Sequence, residues 1–362
     1  MKPRVLFVSR TRYRLPLDEQ VARKWDALGE ELELRVLATG DGGDDRFHLV
    51  PARSPAFYMA LPRHVARELR DYRPAVVVAQ SPYEAGAVLA GRALARVPAR
   101  VLLEVHGDWR TATRDYGSPL RRLVEPASRA AARAAVRRAD AVRTVSAFTA
   151  GLVRELGVEP AATFTTYYDA SAFTAAPPAP LPERPRALFV GVLERYKNVH
   201  VLADAWRRVA SALPDVQLHV VGRGREHTVV ERLVRDLPQR ATWDDWLPSD
   251  RIAAALDGAT ALVLPSVSEG LPRVAMEAFA RGRGVVGSRA GGIPDIVEDG
   301  VTGILVPPGD AEALAQALMR VLSDRALAQS LADGARADAA RWLQTPEQFA
   351  ARMRALVDEM GR

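Results

Sequence analysis

Residues 261–278 read ALVLPSVSEGLPRVAMEA, and this stretch decides the fold. Its apolar start predicts a buried strand over Ala261–Pro265, and Pro272–Ala280 has the apolar spacing of a helix. A strand that leads through a short turn into a helix is typical of parallel sheets covered by helices. Glu269 lies before this helix and Glu277 inside it, and a carboxylate can accept hydrogen bonds from sugar hydroxyls. The spacing alone favours a simpler interpretation, in which Glu269 is solvent-exposed and Glu277 forms a surface ion pair.

The same alternation of short apolar runs and helical patterns extends through the whole chain. In the first half, strands are predicted over Val5–Ser9, Leu34–Ala38, Ala75–Ala79, Val101–Val105 and Ala141–Val145, and helices over Leu17–Leu28 and approximately Leu120–Arg138. In the second half, the other predicted strands are Ala187–Val192, Gln217–Val221, Gly284–Ser288 and Gly303–Val306, with helices over Val199–Ala212 and from near Asp310, Asp324 and Pro346. This order predicts an α/β fold built on parallel sheets.

A chain of 362 residues usually folds as two domains. Residues 174–186, TAAPPAPLPERPR, are rich in proline and lack periodicity, so they are predicted to form a semi-rigid linker. The predicted domains are residues 1–173 and 187–343. Two similar α/β halves joined by a short linker imply a cleft between them, and ligands of open parallel sheets bind beyond the carboxyl ends of the strands. We therefore expect the functional site in that cleft.

The composition is that of a globular protein, with 48% hydrophobic and 26% charged residues. No apolar run approaches the roughly 18 to 20 residues of a membrane-spanning helix. Cysteine is absent, which excludes disulfides, cysteine-ligated zinc and thiol nucleophiles. The start, MKPRVLFVSR, runs directly into a predicted strand and lacks a signal-peptide cleavage site, so a cytoplasmic protein is expected.

The net charge of +6 is unevenly distributed. Residues 1–180 carry 27 basic and 20 acidic side chains, whereas the rest of the chain carries 23 and 24. Between Arg92 and Arg143 there are 12 arginines and five acids. Such a patch can attract an anionic phospholipid surface, an acidic acceptor or a nucleic acid, or it can be a solvated face. Because no zinc-finger, RNA-recognition or helix-turn-helix signature accompanies it, nucleic acid is not an expected partner, whereas peripheral attachment to the inner face of a membrane is.

A glycine-rich stretch follows the opening motif, at residues 288–303, SRAGGIPDIVEDGVTG. Gly291 and Gly292 predict a turn in which the main chain approaches a ligand closely. Together with the glutamate pair and the run TGILVPPGD, this ordered series resembles the retaining glycosyltransferases of family four, which have the GT-B fold. The resemblance covers essentially the whole chain and is densest between Ala187 and Asp310. It implies two Rossmann-like domains that face each other across the cleft, with a C-terminal helix, residues 344–362, packing back on the N-terminal domain.

The resemblance implies a nucleotide-sugar donor site in the C-terminal half. Glu269 would contact hydroxyls of the transferred sugar, and Glu277 would contact the ribose. Lys197, in FVGVLERYKN, matches the family lysine that neutralises the departing diphosphate. Val192 stands where the family usually has arginine, so Arg195 or Arg223 would compensate. The remaining donor-binding residues implied are Gly191, Gly222, Trp246, Leu247, Gly270, Leu271, Pro272, Arg273 and Val274.

Two of these segments resemble parts of the family that lie near the nucleotide. Gly222-Arg223-Gly224 follows a predicted strand and resembles the turn beside the nucleotide. Trp243–Leu247 resembles the stretch whose main chain meets the base, but Asp245 replaces a common glycine. The base therefore remains open between uracil, guanine and adenine, and a UDP- or GDP-sugar is the expected donor.

The N-terminal half carries the implied acceptor side. His106, in EVHGD at a strand end, matches a family histidine that faces the donor sugar and phosphate, and Asp108 lies beside it. After the first predicted strand, the family has a glycine-rich turn, whereas this chain has a basic loop. Its residues Arg10, Arg12, Tyr13 and Arg14 could clamp an anionic or carbohydrate acceptor, or form a solvated loop. In the stretch before Phe173, Thr166 and Tyr167 replace the family's Asn and Gly, and this stretch is expected to serve domain packing.

The implied reaction is glycosyl transfer with retention, from a nucleotide-sugar to a hydroxyl of a lipid, glycan or small metabolite. His106, Lys197 and Glu269 would be the catalytic residues. No cofactor or metal is expected, because the acidic clusters at 41–45 and 244–245 lack the form of metal-dependent transferases. The alternatives are a nucleotide-sugar epimerase or hydrolase on the same fold and a non-catalytic nucleotide-sugar-binding protein.

Overall fold

The computed structural model describes residues 1–51, 56–110 and 121–361, and only the backbone of residues 121–124. The chain forms two compact units. Unit 1 comprises Met1–Asp169 and Gln344–Arg362, and unit 2 comprises Ala170–Leu343. Each unit is a parallel sheet with helices, so the predicted α/β fold of two Rossmann-like halves is confirmed.

Unit 1 contains a seven-stranded sheet in the order β3-β2-β1-β4-β5-β6-β7, and all its strand pairs are parallel. The strands are β1 (Arg4–Arg14), β2 (Glu33–Asp41), β3 (Phe47–Val50), β4 (Val76–Ala79), β5 (Arg100–Val105), β6 (Ala141–Thr144) and β7 (Ala162–Thr163). The strand order reverses between β1 and β4. In such sheets this reversal opens a crevice at the carboxyl ends of the two strands.

The helices of unit 1 are α1 (Glu19–Glu31), α2 (Ala56–Asp71), α3 (Pro82–Ala95), α4 (Arg121–Arg138), α5 (Ala147–Arg154) and, from the C-terminal segment, α14 (Pro346–Gly361). Helix α1 begins at Asp18, whose side chain accepts from the Gln20 N–H, and it buries Trp25 and Leu28. Phe349 and Met353 of α14 are buried in the same hydrophobic cluster as Trp25. The C-terminal helix is therefore part of the core of unit 1.

The basic stretch after the first predicted strand is not a loop, and that prediction is wrong. Strand β1 continues to Arg14 and pairs with β2 from Arg12 onward, after a register shift that follows Val8. The Tyr13 ring packs edge-on against Phe47 and Trp25, at centroid distances of 5.3 and 6.1 Å. Burial raises the pKa of the Tyr13 hydroxyl to about 12. This ring is therefore packed against the core of unit 1, whereas Arg10, Arg12 and Arg14 are exposed along the strand.

Unit 2 contains a six-stranded parallel sheet in the order β10-β9-β8-β11-β12-β13. The strands are β8 (Arg186–Val190), β9 (Gln217–Val221), β10 (Ala241–Asp244), β11 (Ala261–Leu264), β12 (Gly284–Ser288) and β13 (Gly303–Val306). The helices are α6 (Ser171–Thr174), α7 (Val199–Ala212), α8 (His227–Asp236), α9 (Ser249–Asp257), α10 (Arg273–Ala280), α11 (Ile293–Ile296), α12 (Ala311–Ser323) and α13 (Arg325–Trp342), and a 3-10 turn spans Arg195–Lys197. Trp206 of α7 and Phe189 of β8 are fully buried at the centre of this unit.

The proline-rich stretch at 174–186 belongs to unit 2, because the chain enters that unit at Ala170. Two buried arginines hold its carbonyl groups. Arg281 donates to the Ala176 carbonyl at 2.7 Å, and Arg283 donates to the Ala179 carbonyl at 2.9 Å. Asp257 accepts from Arg281 at 2.5 Å and so orients its guanidinium. The stretch is anchored along unit 2 by its oxygen atoms, which proline leaves available.

Among the described helices, none has both the length and the apolar content that crossing a membrane requires.

Candidate functional site

The predicted donor residues of unit 2 meet at the carboxyl ends of its central strands. Lys197 ends the 3-10 turn after β8, and Glu269 lies in the loop between β11 and α10. The Lys197 Nζ donates to Glu269 Oε1 at 2.6 Å, and both side chains are 11% exposed. Two residues that lie 72 positions apart in the sequence thus form a mostly buried ion pair. A ligand that carries both hydroxyl groups and a negative charge can bind here. Its hydroxyls can replace Lys197 at the carboxylate, and its anionic group can replace Glu269 at the ammonium.

Glycine residues allow the main chains of the loops after β8 and β9 to come into contact. A Cβ atom on Gly222 would lie 1.8 Å from the Gly191 carbonyl oxygen, and one on Gly224 would lie 2.4 Å from the Leu193 carbonyl oxygen. Beside this contact, a Cβ on Gly191 would lie 3.5 Å from Lys197 Cε. The predicted glycine loop therefore forms the surface on which the lysine side chain rests.

The Gly291-Gly292 turn positions Glu269 through its main chain. The Gly292 N–H donates to the Glu269 carbonyl at 2.9 Å. A Cβ on Gly291, whose φ is +56°, would lie 2.4 Å from the same carbonyl oxygen. Only residues without a side chain allow this approach. The two motifs that the sequence places about twenty residues apart are thus one structural unit.

Glu277 lies inside α10 and is buried, 8% exposed. Burial raises the pKa of its carboxyl group, and the positive charge of Arg273 opposes this only partly. Helix α10 begins after Pro272, whose side chain provides no capping hydrogen bond. The first N–H groups of a helix have no acceptor within it, and their dipoles favour a negatively charged group. Around this helix start lie the predicted residues Gly270, Leu271, Pro272, Arg273 and Val274.

The segment predicted to meet the base begins in the last two residues of strand β10, which the sequence did not predict. The Trp243 indole donates to the Gly222 carbonyl at 2.8 Å, so this segment is tied to the glycine turn after β9. The Asp244 carboxylate lies 2.8 Å from His219 Nε2. Trp246 is 60% exposed, and Leu247 is half-buried. An exposed indole at this place can stack on an aromatic base.

Val192, the residue that replaces the expected arginine, is 45% exposed and adjoins the Gly191 loop. The two candidates to supply the missing charge, Arg195 and Arg223, are both exposed on the loops after β8 and β9. Asn198, directly after Lys197, has a left-handed backbone with φ of +60°. Asparagine tolerates this conformation better than most side chains, which allows α7 to begin immediately after the lysine.

His106 of unit 1 follows β5 and is joined to a buried cluster. Its Nε2 lies 3.3 Å from Glu104 Oε2, and its Nδ1 lies 3.3 Å from the Thr166 hydroxyl. Glu104 is 3% exposed and also accepts from Arg143 Nε at 2.9 Å. Burial would raise the pKa of Glu104, but Arg143, His106 and Lys24 outweigh it and hold this pKa well below its usual range. Glu104 is therefore ionised.

The sequence did not assign Glu104 or Arg143 to the site, and it predicted that the stretch of Thr166 serves domain packing, whereas Thr166 bonds to His106 and Arg143. An arginine inside the apolar strand AVRTV was the available signal, because a charged residue in a buried strand requires a partner. Arg143 was counted in the predicted basic patch, but it is fully buried and therefore does not belong to a surface patch. Arg92 and Arg110 of that patch are paired, with Asp140 at 2.5 Å and with Asp108 at 3.0 Å. The predicted patch is thus partly an interior network.

The acceptor-side residues are placed near strand ends of unit 1. Asp108 is bound by Arg110, and its side chain is 8% exposed. Arg12 forms an ion pair with Asp41 at the end of β2. Within the described ranges, no group of three or more histidine, aspartate or glutamate side chains is arranged to hold a metal ion.

Two family models match the chain, one in each half. The model described as "Glycosyl transferase 4-like domain" matches residues 19–169, and the one described as "Glycosyl transferases group 1" matches residues 184–324. The fold and the site therefore define a protein of the GT-B class. The chain belongs to the family-four glycosyltransferases.

Curated relatives match over part of the chain. A sulfoquinovosyl transferase of Arabidopsis thaliana is 32% identical over 164 residues, which are 44% of this chain and 31% of that protein. An alpha-maltose-1-phosphate synthase of Mycolicibacterium smegmatis is 40% identical over 156 residues, which are 39% of each chain. The chain thus spans well under half the length of these two relatives.

Solved structures match over the full length. A sucrose-phosphate synthase from Thermosynechococcus elongatus has a TM-score of 0.79 at 21% identity and covers 99% of both chains. The Anabaena protein HepE, in complex with UDP-glucose, has a TM-score of 0.72 at 18% identity and covers 97% of this chain and 99% of that one. At these identities the likeness concerns the fold.

Proposed function

We propose that the protein is a retaining glycosyltransferase that takes a sugar from a nucleotide-sugar, a UDP- or GDP-sugar, and transfers it to a hydroxyl acceptor. The observation that carries this proposal is the Lys197–Glu269 pair, 2.6 Å apart, beside the glycine loops of unit 2. UDP-glucose bound to the similarly folded HepE supports a nucleotide-sugar donor. The acceptor is a lipid, a glycan or a small metabolite.

In the proposed reaction, negative charge develops on the departing diphosphate. Lys197 and the N–H groups at the start of α10 would stabilise this charge, because dipoles aimed beforehand at the leaving group need no reorganisation. Glu269, freed from Lys197, would accept hydrogen bonds from the sugar hydroxyls, and the buried Glu277 would do so from the ribose. His106 would contact the donor sugar and phosphate from unit 1.

Retention is proposed to occur by attack on the face that the leaving group departs from, with the leaving phosphate accepting the acceptor's proton. A retaining glycosidase instead uses a carboxylate nucleophile that forms a covalent intermediate. Mass spectrometry of the protein quenched during turnover separates the two routes. We expect no glycosylated peptide, and an adduct on Glu269 would contradict the proposal.

Metal is proposed to be unnecessary, because cationic side chains and helix N–H groups are expected to balance the diphosphate charge. Turnover in the presence of excess chelator measures this directly. Activity that is lost with the chelator and restored by a divalent cation would contradict it.

The proposal is tested first by ligand-induced stabilisation. A thermal-shift screen would compare UDP, GDP, ADP and their sugar conjugates, with the wild type and with Glu277→Ala. We expect one base to raise the melting temperature of the wild type and not of the variant, since a ligand that binds only the folded state stabilises it. Asp333→Ala, at an exposed acidic residue of α13 away from the donor loops, serves as the control. Lack of stabilisation by every nucleotide would refute the proposed function.

Incubation of the donor alone distinguishes the two alternative functions. An epimerase or hydrolase would convert or release the sugar without any acceptor. A binding protein would retain the donor unchanged with every acceptor offered. We expect turnover of the donor to depend on the acceptor.

We further propose that unit 1 rests on an anionic membrane surface. Its support is a set of exposed residues on α2, α3 and α4, which are Met59, Arg63, Arg67, Leu94, Arg96, Arg133 and Arg138. Met59 is 79% exposed and Leu94 is 52% exposed, so apolar side chains accompany the arginines. Arginine near an anionic lipid surface contributes about 1 kcal/mol of binding free energy.

Vesicle sedimentation tests the membrane proposal. We expect the protein to bind vesicles that contain phosphatidylserine and not neutral phosphatidylcholine vesicles, with binding weakened by salt. The variant Arg133→Gln with Arg138→Gln is expected to bind less, and Arg207→Gln with Arg208→Gln on α7 of unit 2 is the matched control. Equal binding to both vesicle types would overturn the proposal.

A further inference from the structure

The imidazole of His106 has a hydrogen-bond partner at each nitrogen, and this determines where its proton lies. Nε2 lies 3.3 Å from Glu104 Oε2, and Nδ1 lies 3.3 Å from the Thr166 Oγ1. A neutral imidazole donates from one nitrogen and accepts at the other. The chemistry of the two partners therefore decides between the two tautomers.

On the Nδ1 side, Arg143 determines what Thr166 can do. Arg143 Nη2 donates to the Thr166 Oγ1 at 2.9 Å. A guanidinium is always a donor, so the hydroxyl oxygen accepts this bond and its single proton is free to point elsewhere. The nearby acceptor for that proton is the Nδ1 lone pair of His106. Thr166 thus favours an unprotonated Nδ1.

On the Nε2 side, Glu104 has the same effect. An ionised carboxylate only accepts hydrogen bonds, so it requires a proton on Nε2. The opposite tautomer would direct the Nε2 lone pair at a negative charge, which is unfavourable inside a protein. Both partners therefore select one tautomer.

The residues behind His106 are themselves held rigidly. Arg143 is fully buried, and its third bond goes from Nη1 to the Phe164 carbonyl at 2.8 Å. Its guanidinium lies 4.4 Å from the Phe164 ring centroid and 5.5 Å from that of Phe349. Lys24 of α1 lies 5.5 Å from the same Phe349 ring. These contacts hold the guanidinium that orients both partners of His106.

We propose that Glu104, Arg143 and Thr166 are positioning residues that hold His106 as the neutral tautomer with its proton on Nε2. With this proton donated to Glu104, His106 has no lone pair at Nε2 and does not act as a base there, and a donor oxygen can contact Nε2 only by sharing the proton with Glu104. The consequence for catalysis rests on the function proposed above, whereas the tautomer is a property of the free protein.

Nitrogen-15 NMR of the free protein with labelled histidine tests the tautomer. The signal of His106 is identified among the six histidines by its loss in His106→Gln. At about pH 8, above the usual titration range of histidine, we expect a pyridine-like shift for Nδ1 and a pyrrole-like shift for Nε2. Two pyrrole-like nitrogens, or the reverse assignment, would overturn the proposal.

Thr166→Val removes the hydroxyl and keeps the shape of the side chain. We expect the two nitrogen shifts of His106 to move toward each other, because only Glu104 then selects the tautomer and the other one gains population, and we expect Thr166→Ser to restore the wild-type shifts. Thr163→Val is the matched control, since its hydroxyl bonds to Thr144 at 2.7 Å in β7 and not to His106. Unchanged shifts in Thr166→Val would refute the role of Thr166.

A kinetic measurement then separates this inference from the proposed function. In Thr166→Val we expect kcat to fall about three- to tenfold, the effect of one hydrogen bond, with KM for the donor nearly unchanged and recovery in Thr166→Ser. If the wild type shows the expected tautomer but turns over no nucleotide-sugar, the proposed function fails and the tautomer assignment stands. If turnover is normal and the tautomer differs, only the inference fails.

Discussion

In each unit of the protein, a buried carboxylate–cation pair lies near the carboxyl ends of the strands. In unit 1, Glu104 and Arg143 are 3% and 0% exposed, and Arg143 also donates to the Phe164 carbonyl and the Thr166 hydroxyl. In unit 2, Lys197 and Glu269 are each 11% exposed and are joined by a single bond of 2.6 Å. The two pairs thus have similar chemistry but differ in how many other bonds each partner makes.

This difference indicates two different uses of an ion pair. Arg143 has all its bonds inside the protein, so it cannot leave Glu104 without leaving buried polar groups unsatisfied. Lys197 has one bond to exchange and lies beside glycine main chain, where a ligand oxygen can replace Glu269. The first pair positions other residues, and the second is suited to bind a ligand.

The largest expected effect on stability is at the Glu104–Arg143 pair, in which Arg143 makes all its bonds inside the protein. Arg143→Met should lower the free energy of unfolding by about 3 to 5 kcal/mol, because it leaves the Glu104 charge buried without its main partner. Urea unfolding measures the loss. Arg92→Met is the matched control, since Arg92 pairs with Asp140 at partly exposed positions and should lose less than about 1 kcal/mol. Equal losses in the two variants would show that the buried Glu104–Arg143 pair contributes no more to stability than a partly exposed ion pair.

A substitution in the Lys197–Glu269 pair should mainly lower the enzymatic activity. Lys197→Met is expected to lower kcat about 10²- to 10³-fold, since a charge aimed at the leaving diphosphate is lost. Its free energy of unfolding should fall by about 1 to 3 kcal/mol, because Glu269 loses its partner. Steady-state kinetics and urea unfolding measure the two effects. Lys197→Arg should retain part of the activity, and a fully active methionine variant would show that the lysine has no role in the reaction.

Glu277 is a third buried carboxyl group, and unlike that of Glu104 its pKa is raised. Burial, only partly opposed by Arg273, makes the folded state bind the Glu277 proton more tightly than the unfolded state does. The stability from this proton is present below the usual pKa of 4.5 and is lost as the pH rises through the folded-state value. Glu277→Gln should therefore stabilise the free protein by about 1 kcal/mol at pH 8 and not at pH 4.

Melting temperatures at the two pH values measure this effect. The same variant should bind the nucleotide more weakly, because an amide is a poorer acceptor for ribose hydroxyls than a carboxylate. Stabilisation that is equal at both pH values would show that the proton on Glu277 does not contribute.

The smallest effect is expected at the hydrogen bond between the Trp243 indole and the Gly222 carbonyl. Trp243→Phe removes the bond to the Gly222 carbonyl and should cost about 0.5 to 1.5 kcal/mol of unfolding free energy. Trp342→Phe on α13, which loses a bond to Asp338, is a control away from the donor loops. Nucleotide affinity should fall in the first variant and not in the second. Calorimetric titration of both variants measures this difference.

Much of unit 2 could be predicted from the sequence. The strands Gln217–Val221, Gly284–Ser288 and Gly303–Val306 and the helix Val199–Ala212 have the predicted bounds. Apolar runs bounded by glycine and proline give a strong local signal. Strands β3, β7 and β10 were missed because they are short and only partly buried, so they lack the continuous apolar run that marks β4 and β11.

The misassigned end of β1 has a different cause. The run Arg10–Arg14 is polar and reads as a loop, but it pairs with β2 and places Tyr13 between Trp25 and Phe47. Pairing with a neighbouring strand overrides local propensity when it buries an aromatic ring, and no local pattern reveals that neighbour.

Local patterns in the sequence were enough to predict the fold class and the family, and they predict the residues of the candidate donor site, because glycine turns, buried strands and paired glutamates lie close together along the chain. The tertiary structure decided which charges meet. Lys197 reaches Glu269 across 72 positions, and Arg143 reaches Glu104 across 39 and Thr166 across 23. The physical reason is that parallel strands bring distant loops to one edge of a sheet, where burial makes each charge depend on a partner that local sequence does not specify.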